Sequence, residues 1–137
     1  MKRQKSREIA MELLFSMAIS KNSYEETIET FIENYEMNLN LIDLEYIKSI
    51  VKMVSEDIEK IDDILTKALV NWKIERLSKV NLTILRLAIG EIIFLEDVPG
   101  TVAINEAVEI TRKYSDEKST SFINGVLDTV LKTIEQE

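Results

Sequence analysis

Residues 76–95 read RLSKVNLTILRLAIGEIIFL. Val80, Ile84, Leu87, Ala88 and Ile92 recur at helical spacing, and Leu85 and Leu95 widen their stripe. A helix with so broad an apolar surface has to be nearly surrounded by protein. The stretch therefore predicts a central helix with others packed around it, stopped by Pro99.

The same periodicity extends outward in both directions. Ile9, Leu13 and Met17, with Ala10 and Leu14, predict a first helix over residues 7–20, with Phe15 to one side. Ser23 followed by Glu26 has the spacing of a capping box, and Ile28, Phe31, Ile32 and Tyr35 form the face of the helix behind it. Asp43 can cap a third helix, whose face is Tyr46, Ile47, Ile50, Val51, Val54 and Ile58. A break near Glu56 and Asp57 separates it from a helix bearing Ile61, Ile64, Leu65, Ala68 and Leu69 and ending near Trp72. Beyond Pro99, residues 102–113 are helical and 114–118 form a polar loop. Ser119 caps a last helix with Phe122, Ile123, Val126, Leu127, Val130 and Ile134 on its face. The count is about seven helices and no strand. With three glycines and one proline in 137 residues, tight turns between strands have no support. The expected architecture is all-α, two packed helical bundles over about residues 7–75 and 76–137 within one domain of residues 1–137.

Composition narrows the chemistry. The chain has no Cys and no His. Nucleophilic cysteine chemistry, a Ser-His-Asp triad and a histidine base are therefore excluded, and a zinc site is not expected. The glycines at 90, 100 and 125 form no phosphate-binding loop. The pairs Asp62-Asp63 and Asp116-Glu117 read as solvated surface acids rather than a catalytic dyad. No enzyme, no cofactor and no metal is expected. No secretory leader and no membrane span is legible, which makes the cytoplasm the expected compartment.

The net charge of −8 is unevenly spread. Residues 2–7 contain Lys2, Arg3, Lys5 and Arg7 and no acid, whereas twelve acids oppose three lysines between Glu25 and Asp63. An acidic body with a basic tip can touch a polyanion only at a restricted place. Trp72, with Lys73 and Arg76 nearby, reads as a core residue in preference to a base-stacking one. Phe122 follows Lys118-Ser119-Thr120-Ser121 and either fills the core or faces an unstacked base. Asn105 and Asn124 interrupt apolar runs on two helices expected to pack together. They are expected to be buried and bonded to backbone of the partner helix, which would fix register.

Three segments, RLSKVNLTILRLAIGEI, VPGTVAINEAVEI and SFINGVLD, in this order and spacing, resemble the NusB family of bacterial transcription antitermination factors. The opening KRQKSREIAMELLFSM is similar to the start of that family. The resemblance implies a non-catalytic, two-bundle helical adaptor. It would pair with NusE, a ribosomal small-subunit protein, bind boxA RNA of ribosomal RNA leaders as a single strand, and join the other Nus factors on RNA polymerase during read-through. It assigns RNA contacts to Lys2, Arg3, Lys5, Arg7, Lys118, Ser119 and Phe122, and partner contacts to Phe15, Glu75 and Asn81. Asn81 stands where the family favours an acid. A standalone factor fits better than the form fused to a methyltransferase. The alternative is a protein-interaction module or homodimer without direct RNA contact.

Overall fold

The computed structural model describes residues 2–136. Seven α-helices and two short 3-10 turns account for its regular structure, with no strand among the described residues. The helices are α1 (Lys2–Ser20), α2 (Tyr24–Asn34), α3 (Leu44–Glu56), α4 (Ile58–Ala68), α5 (Lys79–Phe94), α6 (Gly100–Tyr114) and α7 (Glu117–Glu135). They form two compact units, Met1–Glu56 and Asp57–Glu137. The division follows α3, so α4 packs with α5 and α7, whereas the expected boundary near residue 75 places it in the first bundle.

In the first unit α1, α2 and α3 pack on one another. Ile47, Ile50 and Val51 of α3 are fully buried, with Ile9, Ala10 and Leu14 of α1 also in the core. The Ser23 capping box is formed: the Ser23 hydroxyl accepts the Glu26 amide at 3.1 Å, and the Glu26 carboxylate accepts the Ser23 amide at 3.0 Å. Helix α1 begins at Lys2, a full turn before the apolar period starts, because its polar first turn has tertiary partners of its own, described below.

In the second unit α5 contacts α4, α6 and α7. Thr83 to Leu85 and Leu87 to Glu91 are all buried, so α5 is enclosed on nearly every side, as residues 76–95 predict. Buried hydroxyls are satisfied along the helices: Thr83 donates to the Lys79 carbonyl and Thr111 to the Ala107 carbonyl, each at 2.7 Å. Arg86 of α5 makes a two-pronged ion pair with Asp62 of α4, both contacts at 2.8 Å. Asp62 is thereby a cross-helix ligand and not the solvated acid expected; Asp63 pairs with Lys67 on the surface. Gly100 opens α6 where a Cβ would overlap the Leu131 side chain of α7, which accounts for a glycine at that crossing.

Two ends differ from expectation. Helix α4 stops at Ala68, and Asn71 turns the chain with a positive φ of 65°, a conformation asparagine tolerates. Trp72 is consequently in a turn and 52% exposed, which corrects its reading as a core residue. At α7 the cap is Asp116 and not Ser119: the Asp116 carboxylate accepts the Ser119 amide at 2.8 Å. Asp116 sits three residues ahead of that amide, the reach a capping side chain needs.

Both capping carboxyls, Asp116 and Glu26, are held below their ordinary acidity range, chiefly by the backbone amides of Ser119 and Ser23 respectively. The folded state thus binds these protons less readily than the unfolded chain does. Their contribution is complete at neutral pH and is lost as pH falls through the depressed values. Asp116→Ala is expected to lower the melting temperature at pH 7 and to flatten the loss of stability below about pH 4. Thermal melts across a pH series would check both; an unchanged acid limb would remove Asp116 from the linkage.

Candidate nucleic-acid interface

Each unit presents one polar surface at which candidate residues gather. In the first unit it is the opening turn of α1. Cations at a helix N-terminus face the positive end of the helix dipole, and this first turn holds no acid to offset them. The fold compensates from α3. Arg3 donates to the Asp43 carboxylate at 3.1 Å, and its guanidinium lies 4.5 Å from the centre of the Tyr46 ring. Arg7 is only 5% exposed, its guanidinium 5.9 Å from the centre of the same ring. The Ser6 hydroxyl donates to the Lys2 carbonyl at 2.7 Å and accepts the Asp43 amide at 2.8 Å. Asp43 also caps α3, its second oxygen accepting the Tyr46 amide at 3.1 Å.

The four cations of the tip are therefore not equivalent. Lys2 and Lys5 are exposed, Arg3 is half-buried in an ion pair, and Arg7 is packed away. Arg7 belongs to the expected RNA contacts, and its side chain is buried beside Tyr46. Charge count alone could not separate these roles, because the distinction depends on Asp43 and Tyr46, about forty positions further along the chain.

Asp43 thus fastens two helices at once. Asp43→Ala is expected to cost about 1 kcal/mol through the cap alone, and more through the loss of the Arg3 pair. Asp43→Asn keeps an acceptor for the cap and should cost less. Urea denaturation would rank the two; equal losses would mean that the cap contributes nothing beyond the ion pair.

In the second unit the surface surrounds the start of α7. Lys118 is exposed, and Ser119 and Phe122 are half-buried. The Ser119 hydroxyl accepts a bond from the Asn81 side-chain amide at 3.0 Å, and lies 3.3 Å from the Ser115 hydroxyl. Asn81, expected on a partner surface, and Ser119, expected on an RNA surface, are therefore direct neighbours. The Asn81 amide oxygen is buried without a hydrogen-bond partner. Phe122 meets Trp72 edge to face, ring centres 5.9 Å apart. Trp72 in turn lines an open pocket with Asn71, Lys73 and Arg76. Sequence reasoning missed this association; the cations at 73 and 76 were its only visible sign.

Glu75 is exposed in the 3-10 turn Ile74–Arg76, and Phe15 is half-buried on α1 of the first unit. Asn105 and Asn124 depart from expectation. Helices α6 and α7 do pack together, but both asparagines are exposed and line an open groove of about 580 Å³ with Glu109, Arg112 and Ser121. The inward faces belong instead to Ala103, Ile104, Ala107 and Ile110 on α6 and to Ile123, Val126, Leu127 and Val130 on α7. Asn105 and Asn124 each directly follow an inward residue, Ile104 and Ile123, and one residue along a helix turns a side chain by about 100°. An asparagine inside an apolar run can therefore still face water.

The NusB family model matches residues 4–132. The chain belongs to the NusB family. Among its relatives, the transcription antitermination protein NusB of Clostridium botulinum (strain Alaska E43 / Type E3) is 56% identical over 132 residues, spanning 96% of this chain and 99% of that protein. The solved structure of T. maritima NusB superposes with a TM-score of 0.85 at 30% identity, covering 96% of this chain and 92% of that one. A NusB solved together with NusE in complex with dsRNA superposes with a TM-score of 0.81 at 31% identity, over 95% of this chain and 96% of that one. Further relatives carry the same name, among them the transcription antitermination protein NusB of Clostridium perfringens (strain SM101 / Type A), 51% identical over 134 residues, spanning 98% of this chain and 99% of that protein. No helix among the described residues is long and apolar enough to cross a membrane.

Proposed function

We propose that this NusB-family chain is an RNA-binding antitermination adaptor working in the cytoplasm. It pairs with NusE, the ribosomal small-subunit protein, and together they bind the boxA element of ribosomal RNA leader transcripts. The assembly then joins other Nus factors on RNA polymerase and favours read-through of terminators. The observation that carries this reading is the likeness over almost the whole chain to a NusB solved with NusE in complex with dsRNA. Exposed cations on an otherwise acidic chain support it: Lys2 and Lys5 on the first unit, Lys118 on the second.

In this reading the exposed lysines hold phosphates and set register, while side chains at the start of α7 discriminate bases. Arg3 and Arg7 keep the first turn of α1 in place. Phe15, Glu75 and Asn81 face NusE, the exposed Glu75 matching a basic partner.

The test is fluorescence anisotropy of a labelled boxA RNA titrated with this protein, with NusE, and with both, at two salt concentrations. Scrambled and duplex RNAs serve as comparisons. The adaptor reading expects tight, boxA-preferring binding only from the mixture. A mixture that binds no better than NusE alone would leave a protein-interaction module.

A further inference from the structure

We propose that Trp72 is a stacking platform for one unpaired RNA base, with Lys73 and Arg76 holding the adjoining phosphates. The inference rests on the RNA-binding reading above and adds a contact that neither the resemblance nor the expected RNA set includes.

The chain has one tryptophan, and it is 52% exposed on a turn, where its large apolar area gains little from burial. The ring is nonetheless held in place. Asn71, in the left-handed conformation, sets the turn before it, and Phe122 packs against it edge to face at 5.9 Å. Beside this contact about half of the residue's surface remains exposed. The open pocket beside it, about 410 Å³, is lined by Asn71, Trp72, Lys73 and Arg76. It has room for a nucleotide, and its lining joins an aromatic face to two cations and a side-chain amide.

Charge decides between a base and an apolar side chain as the occupant. Lys73 and Arg76 are both exposed, and neither is in an ion pair among the described residues. Glu75 between them is the only nearby acid of the turn, and Lys118 lies one helical turn before Phe122. A rigid aromatic beside unpaired cations is what a nucleotide needs: stacking for its base, attraction for its phosphate. Two uncompensated cations beside the ring favour a polyanion over an apolar peptide as the occupant.

The experiment uses the full chain with NusE and a labelled single-stranded boxA RNA. Trp72→Ala is expected to weaken RNA binding about tenfold and to leave the salt slope unchanged, since stacking releases no counterions. Trp72→Phe should recover most of the affinity. Thermal melts should show both variants folded, as expected for a half-exposed turn residue. An abasic nucleotide walked along the RNA gives a readout that a merely structural role would not produce. At one position it should weaken the wild-type protein and leave Trp72→Ala indifferent. Equal RNA binding by wild type and Trp72→Ala overturns the stacking proposal while leaving the RNA reading intact. A Trp72→Ala defect in binding NusE alone, with no abasic position that distinguishes the two proteins, makes the turn a protein-docking site and also overturns it. If wild type adds nothing to NusE in RNA binding, both readings fall together.

Discussion

Replacing Lys2 and Lys5 together by alanine is expected to reduce the salt slope of RNA binding by about 1.4 in log–log terms, since each phosphate contact to a single strand contributes about 0.7. At low salt the affinity should fall about tenfold or more. The melting temperature should hold or rise slightly, because both side chains are exposed and both sit at the unfavourable end of the α1 dipole. Arg7→Ala should behave oppositely. That side chain is 5% exposed against Tyr46, so its loss should lower stability first, with RNA affinity following only as far as the helix shifts. Anisotropy titrations at several salt concentrations, paired with thermal melts, separate the two classes. A steeper loss of slope for Arg7→Ala than for the lysine pair would reverse the assignment.

The largest effect on stability is expected at Leu85. It is fully buried on α5, the helix that touches α4, α6 and α7. Truncation to alanine removes three carbons, the Cγ methine and its two methyls, from a site enclosed on nearly every side, which leaves little freedom for collapse around the cavity. A cost of about 3 kcal/mol is expected, seen as a drop of roughly 10 °C in melting temperature for a chain of this size. Lys79→Ala, on the exposed first turn of the same helix, should change stability by less than about 0.5 kcal/mol. Guanidinium denaturation of both variants checks the contrast. A Leu85→Ala protein within about 1 kcal/mol of wild type, well below the roughly 2–5 kcal/mol of such core truncations, would mean that α5 is not the hub of its unit.

The helices were legible because their cores are periodic. Residues 76–95 predict an enclosed α5, and the observed burial from Thr83 to Glu91 has that character. Ser23 with Glu26 marked the α2 cap correctly, since that motif is local and both partners lie within four residues. Features that depend on distant partners were not legible. The first turn of α1 is helical because Asp43 and Tyr46 receive it, and no local pattern announces them. Trp72 reads as core by composition; a left-handed Asn71 and a helix ending at Ala68 bring it to the surface. Asn105 and Asn124 read as buried because their neighbours are apolar, yet a single helical step turns them outward. Of the candidate site, the residue types and the two regions of chain could be named in advance. Which cations are free, and which pairs of side chains meet, could not.

The staple from Asp43 to the first turn of α1 bears on how RNA would be met. Many basic arms are unstructured when free and order themselves on a nucleic acid, giving up affinity to chain entropy. Here Lys2 and Lys5 project from a turn already fixed by Ser6, Arg3 and Asp43, so that entropy has been settled during folding. The lysines are preorganised. Association at this end should proceed without a coil-to-helix transition, leaving helical circular dichroism unchanged and the heat-capacity change small. Specificity could then arise from the fixed spacing of two charges along one helix, a ruler that a floppy arm of the same composition would lack.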